Sequence, residues 1–203
     1  MIRIVKYGLG NIAAFANIYR RLNIECATAE TAEELATASK IILPGVGAFD
    51  WAMQLLAESG MRECLDDMVL DRNVPVLGVC VGMQMMANSS EEGQLPGLGW
   101  IEADVRRFDE RRFATRTHLP HMGWSTVQPK ETTSLFNDMP DPQFYFLHSY
   151  LVEPLRHENV LAETDYGSPF ASAVSSDNIF GVQFHPEKSH QWGIKLLQNF
   201  AEL

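Results

Sequence analysis

Leu77-Gly78-Val79-Cys80-Val81-Gly82-Met83-Gln84 decides the reading of this 203-residue chain. The apolar run Val74 to Val79 predicts a buried strand and Gly82 to Asn88 a helix, so Cys80 falls on the turn between them. Gly78 and Gly82 flank it and remove side chains that would collide in so tight a strand-to-helix turn, the physics of a nucleophile elbow. A cysteine at a helix start sits in partial positive charge beside unpaired amides, which favours the thiolate and offers the Val81 amide to an oxyanion. Taken alone, the motif leaves a buried structural cysteine equally open.

Toward the N-terminus the pattern repeats. Ile2 to Val5 predicts a strand, Tyr7-Gly8-Leu9-Gly10-Asn11 a turn, and Ile12, Phe15, Ile18, Tyr19 and Leu22 recur at helical spacing, with Asn11 as N-cap. Thr31 with Glu34 forms a capping box for a short helix. Ile41-Ile42-Leu43 is a buried strand ended by Pro44-Gly45, and a helix follows through Phe49 and Leu56. Ser89, Ser90 and Gly93 help to end the helix after Cys80. Strands alternating with helices predict an α/β fold around a mostly parallel sheet. From Trp100 onward the elements shorten and take antiparallel character: Ser125 to Val127, Phe144 to Leu147, Ala171 to Ser175 and Ile179 to Phe184. A last helix runs from Gln191 to Leu203, with Trp192, Leu196, Leu197 and Phe200 on its inner face.

Length and composition, 46% hydrophobic and 21% charged, predict one well-cored domain over residues 1–203. A net charge of −10 argues against nucleic acid or an anionic membrane as partner. Three cysteines, Cys26, Cys64 and Cys80, read as reduced thiols in a cytoplasmic chain, and no apolar run approaches membrane-spanning length. Asp109 to Thr117 is charged, with Arg111, Arg112 and Arg116 close to Arg106 and Arg107; a solvated loop is expected there, with a partner-facing basic patch as the second reading.

Two further stretches give the elbow its chemistry. In Gly181-Val182-Gln183-Phe184-His185-Pro186-Glu187 a strand delivers a histidine and, two residues on, a carboxylate. An imidazole beside Cys80 would hold it as thiolate and protonate the leaving group, while Glu187 would orient the ring. In Leu43-Pro44-Gly45-Val46-Gly47-Ala48-Phe49 a core strand ends in a turn able to present the Val46 or Gly47 amide beside Val81 as the second oxyanion donor.

These three motifs in this order resemble the class I (triad) glutamine amidotransferases, over essentially the whole chain. Within them, Tyr7 to Asn11, Pro120-His121-Met122-Gly123-Trp124 and Phe144-Tyr145-Phe146-Leu147-His148-Ser149-Tyr150 are most similar to the glutaminase subunits of imidazole glycerol phosphate synthases. The resemblance implies a flavodoxin-like domain that cleaves L-glutamine to glutamate and ammonia, with Cys80, His185 and Glu187 as triad and Gly47 with Val81 at the oxyanion hole. It implies glutamine binding by Gln84, Glu92, Ser149 and Tyr150, and no metal or cofactor. A free amino acid offers an ammonium for Glu92 to pair and a carboxylate for amides near Ser149 and Tyr150. Asn11, Met122, Trp124, Tyr145 and Lys188 match positions that face the synthase subunit or its ammonia passage; for Trp124 and Tyr145 core packing is the alternative.

The implied partner is a (β/α)₈-barrel cyclase, bound as a heterodimer, that forms imidazole glycerol phosphate and an aminoimidazole carboxamide ribotide in histidine biosynthesis. Free ammonia in neutral water is mostly protonated, so transfer needs a shielded route, and weak activity is expected until the partner reorganises the Pro44 to Gly47 loop. Lys6 stands where an aspartate is usual, and Ser125 where an asparagine is. These departures keep open a paralogous pair that aminates a sugar for surface polysaccharide.

Overall fold

The structure, a computed structural model, describes residues 1–114, 117–130 and 133–203. β1 (Ile2–Val5) leads to α1 (Ile12–Arg21), β2 (Cys26–Ala29), α2 (Ala32–Leu35), β3 (Lys40–Gly45), α3 (Phe49–Glu58) and α4 (Arg62–Asp66). β4 (Val76–Cys80) enters α5 (Val81–Met85), followed by β5 (Ser89–Ser90) and β6 (Ala103–Arg107). The second half holds β7 (His121–Thr126), β8 (Gln128–Pro129), β9 (Gln143–His148), β10 (Tyr150–Pro154), β11 (Val160–Asp165), β12 (Pro169–Ser176), β13 (Ile179–Val182) and α6 (His190–Glu202).

One eight-stranded sheet organises these elements in the order β2-β1-β3-β4-β13-β12-β11-β8. Pairing is parallel from β2 to β13 and antiparallel from β13 to β8. β6 pairs with β5 and β10 in a second sheet, and β7 with β9 in a two-stranded ribbon. The expected mixed architecture is therefore present. β3 and β4 are buried along nearly their whole length, which is why both read as unbroken apolar runs and not as alternating ones. β2 lies on one side of β1 and β3 on the other, so the sheet has the switch in winding direction beside whose carboxyl ends ligand crevices open.

The register then places the chemistry. β3 and β13 are the two neighbours of β4, with Gly45 opposite Cys80 and Val182 opposite Val79. The turn after β3 and the segment after β13 consequently flank the cysteine at one sheet edge. Phe184 stacks on Phe144 of β9 with ring centroids 3.8 Å apart, and the His185 amide donates to the Tyr145 carbonyl at 2.9 Å. Those contacts bring the β7–β9 ribbon to the same edge.

Several boundaries differ from the expectation. β3 continues through Pro44 and Gly45, which pair with Val79 and Cys80, and the Pro44 carbonyl accepts the Tyr7 hydroxyl at 2.7 Å. Tyr7 thus pins a residue whose ring deprives it of an amide donor. Ser89 and Ser90 do not simply end a helix; they pair with β6. The α5 helix stops at Met85, β7 begins at His121, and β13 ends at Val182, two residues before Phe184. Asn11 precedes α1, but its side chain makes no capping bond. In the capping box, Thr31 accepts the Glu34 amide, while the Glu34 carboxylate takes the amide of Glu30 in place of that of Thr31.

α5 approaches β3 so closely that a Cβ on Gly82 would run into the Leu43 carbonyl oxygen and the backbone around it. Replacing Gly82 by alanine is expected to destabilise the chain by about 2 kcal/mol or more, since rigid backbone on both sides leaves nothing to yield. Chemical denaturation of the Gly82→Ala variant checks this.

Candidate active site

Cys80 closes β4 with φ +56° and ψ −113°, a backbone conformation that side chains rarely adopt. Such strain is held only where surrounding packing over-determines it, here by β3, β13 and the buried α5. Cys80 is 4% exposed, so only its tip meets the cavity above it. That cavity is about 440 Å³ and is lined by Val46, Gly47, Cys80, Val81, Gln84, Glu92, Pro120, Leu147, His148, Ser149, Tyr150, His185 and Lys188.

His185 and Glu187 come from the turn after β13. The His185 Nδ1 lies 2.9 Å from Glu187 Oε1, with side chains only 3% and 2% exposed. Burial alone would push the imidazole pKa down; hydrogen bonds to Cys80 and Glu187, and the negative charge of both, override it and raise it to about 9. His185 is therefore held as an imidazolium, with its Nδ1–H committed to Glu187 and its other nitrogen left for the sulfur. Ser189 fixes the turn by donating its hydroxyl to the His185 carbonyl at 2.6 Å and accepting the Tyr145 amide at 3.0 Å.

Every glutamine-site residue expected from the sequence, Gln84, Glu92, Ser149 and Tyr150, lines this cavity, as do Val46, Gly47 and Val81. Gly47 has φ +87° and an added Cβ would meet nothing, so the backbone conformation and not crowding requires glycine there. Val46, Gly47 and Ala48 are exposed, whereas Pro44 and Gly45 are buried and bonded into the sheet. Of the Pro44 to Gly47 loop, Pro44 and Gly45 are thus held in the sheet, and Val46 and Gly47 lie beyond its pairing. Glu92 Oε2 accepts the Phe49 amide at 2.9 Å and so supplies the missing cap of α3. Asp50, the next residue of α3, returns the contact by accepting the amides of Gln94 and Leu95 at 2.9 to 3.0 Å.

The expected partner-facing residues divide. Asn11 lies outside the cavity, exposed at the turn before α1. Met122 and Trp124 are 64% and 46% exposed, so core packing is not the role of Trp124. Met122 pairs with Leu147 and Trp124 with Tyr145, placing four apolar side chains on the outer face of the β7–β9 ribbon. Trp124 stacks on His190 at 5.3 Å, and the Lys188 ammonium sits 5.8 Å from the Tyr145 ring centre. Leu147 and Lys188 belong both to this face and to the cavity wall.

Sequence reasoning missed Gln183, His148 and Asp50. Gln183 is fully buried; it donates to Cys80 Sγ at 3.8 Å and accepts from Gln84 Nε2 at 3.1 Å. A polar residue inside an otherwise apolar strand was the available signal. In the basic stretch, Arg111 and Arg112 pair with Asp109, Arg107 with Glu110, and Arg106 with Glu91 and Asp104; Arg116 lies outside the described residues. Among the described residues no group of three or more His, Cys, Asp or Glu side chains could hold a metal ion, and no helix is long and apolar enough to cross a membrane.

The family model of class-I glutamine amidotransferases matches residues 10–203, and the chain belongs to that family. Among solved structures, a glutamine amidotransferase superposes over the whole of both chains with a TM-score of 0.76 at 19% identity. Another from Thermotoga maritima gives 0.62 at 18% identity, covering 92% of this chain and 75% of that one. Within the family the chain falls with the HisH proteins. It is 56% identical to imidazole glycerol phosphate synthase subunit HisH of Bdellovibrio bacteriovorus over the full length of both, and 49% identical to that of Leptospira interrogans over the same extent. A HisH 2 subunit of Methanococcus maripaludis is 42% identical, covering 100% of this chain and 99% of its own length.

The raised His185 pKa has a testable sign. A native value of about 9 against 6.5 means the folded chain keeps a proton that the unfolded chain loses, so the associated stability is full below pH 6.5 and is lost as pH rises through about 9. NMR titration of His185 is expected to show its midpoint near the upper figure, and Glu187→Gln, which removes a negative charge and an acceptor, is expected to lower it.

Proposed function

We propose that this chain is the glutaminase subunit of an imidazole glycerol phosphate synthase, hydrolysing L-glutamine to glutamate and delivering the ammonia to a partner cyclase in histidine biosynthesis. The carrying observation is the meeting of Cys80 and His185, the latter bonded to Glu187 behind it, in one cavity with Gln84, Glu92, Ser149 and Tyr150. Full-length relatives named as HisH subunits support the pathway, and the polysaccharide alternative has no comparable support.

The chemistry follows from the charges. A Cys80 thiolate paired with the His185 imidazolium attacks the side-chain carboxamide carbon of glutamine, and the carbonyl oxygen takes negative charge that the Val81 amide and an amide of Val46 or Gly47 stabilise. The imidazolium donates its proton to the departing nitrogen, giving ammonia and a thioester on Cys80. Water, deprotonated by the now neutral His185, adds to the thioester; glutamate leaves and the ion pair is restored. Glu187 keeps the ring in the tautomer and orientation both steps require.

Ammonia lost to neutral water would be protonated, so the exit should be covered. The apolar outer face of the β7–β9 ribbon, Met122, Trp124, Tyr145 and Leu147, adjoins the cavity mouth, and we assign it to the cyclase, a (β/α)₈ barrel in this reading. Lys188, beside the Tyr145 ring, borders the same contact, and we assign Asn11 to the partner as well. A single domain working in the cytoplasm, without cofactor or metal, completes the proposal.

Two measurements test it. Cys80→Ala is expected to cut glutamate release from glutamine by about a thousandfold or more, in the presence of the cyclase, while leaving the complex intact; undiminished release would overturn the assignment. Trp124→Ala is expected to weaken cyclase binding by roughly tenfold or more in a calorimetric titration, as for a large aromatic at the centre of an interface.

A further inference from the structure

Beside the triad lies a second row of buried polar side chains. His148 is 6% exposed and lines the cavity; His121, 1% exposed, stands behind it on β7, stacked between Phe146 and Tyr166 with ring centroids at 4.5 and 3.9 Å. Their distances fix where each proton resides. The Tyr150 carbonyl only accepts, so His148 Nδ1, 2.7 Å away, carries a hydrogen and donates it. Burial keeps both rings neutral: it pushes His148 down to about 3, aided by His121 and His185 and opposed by the Tyr150 bond, and His121 down to about 4.

A neutral His148 with its proton on Nδ1 has a bare Nε2, and His121 Nδ1 at 3.1 Å must therefore donate to it. The bare Nε2 of His121 accepts in turn from the Ser125 hydroxyl at 2.8 Å. Reversing the row would set the bare Nδ1 of His148 against a carbonyl oxygen, so only one direction is satisfied. The Tyr150 carbonyl also accepts Gln84 Nε2 at 3.4 Å, and Gln84 leads through Gln183 to Cys80. The row thus begins at Ser125, next to Trp124, and ends on backbone that lines the cavity.

We propose that Ser125 and His121 are positioning residues for the amino-acid substrate: they hold His148 as its Nδ1–H tautomer, which clamps the Tyr150 carbonyl and with it the Ser149-Tyr150 backbone and the Gln84 amide. This rests on the glutaminase reading above. It also explains why a cavity built to receive an ammonium and carrying one imidazolium, His185, places beside it a second histidine that is kept uncharged.

The test uses the full chain with its cyclase: His121→Phe, which keeps the aromatic stack but removes the donor, and Ser125→Ala against Ser125→Thr. Glutamate release is measured across glutamine concentrations, and nitrogen NMR of the imidazoles reports the tautomers. His121→Phe is expected to raise KM for glutamine about tenfold with kcat changed by about twofold at most, the cost of one buried acceptor left unpaired. Ser125→Ala is expected to raise KM by a few-fold, roughly half that cost on a logarithmic scale, and Ser125→Thr to restore it. A parent protein with the His148 proton on Nε2, an unchanged KM in His121→Phe, or a threonine that fails to rescue would each overturn the proposal. A parent that releases no glutamate even with its cyclase would instead overturn the glutaminase reading, while the tautomer spectra still decide the direction of the row.

Discussion

The close approach of α5 to β3 is the constraint on which the site depends. Gly82 touches the Leu43 carbonyl and leaves no room for a side chain, so the helix after Cys80 is pressed against the strand that feeds the Val46–Gly47 turn. Cys80 and the turn therefore share one rigid reference. Tyr7 tightens the same corner from β1 through its bond to the Pro44 carbonyl, and its own hydroxyl pKa is pushed up by burial and then by the nearby negative charge of Cys80. Strain at Cys80 and rigidity at Gly45 are two results of the same packing.

Two histidines in one cavity are driven to opposite charge states by the same burial. For His185, a carboxylate and a sulfur outweigh the desolvation cost and the ring is cationic. His148 faces a carbonyl and another histidine, neither of which favours a charge enough, and the ring is neutral. What separates the charged ring from the neutral one is thus the partner each was given and not its depth.

The parallel half of the fold and the placement of Cys80 on a tight strand-to-helix turn were legible because both rest on local pattern. Ile41 to Leu43 and Val76 to Val79 are buried on both faces and read as apolar runs, and the glycines around Cys80 mark a turn that few other residues permit. The short strands were less so: β5 and β8 have two residues each, and what makes them strands is a partner far along the chain. Pro44 read as a terminator because its ring removes a donor, yet the neighbouring β4 and the Tyr7 hydroxyl keep it in the sheet. His121 and His148 sat inside motifs tied to the family without a physical role, since a bond between residues 27 apart has no local signature. Gln183 stood out as a polar residue in an apolar run, but its partners, on β4 and α5, did not.

Rigidity is distributed unevenly around the cavity, and on the proposed reading that bears on how a partner would control the rate. Cys80, His185 and Glu187 are buried and His185 is bonded to Glu187, so on the proposed reading the nucleophile and its acid are ready in the isolated chain. The Val46–Ala48 segment is exposed; Gly45 before it pairs with β4, the Ala48 carbonyl accepts the Ala52 amide, and the Phe49 amide after it is held by Glu92. On the proposed reading Glu92 must also pair the substrate ammonium, so one carboxylate would serve both the substrate and the anchor of the turn that completes the oxyanion hole. Control placed there acts on transition-state stabilisation and leaves the triad untouched. A partner seated on the β7–β9 ribbon next to the cavity mouth would then need to shift only three backbone residues to change the rate.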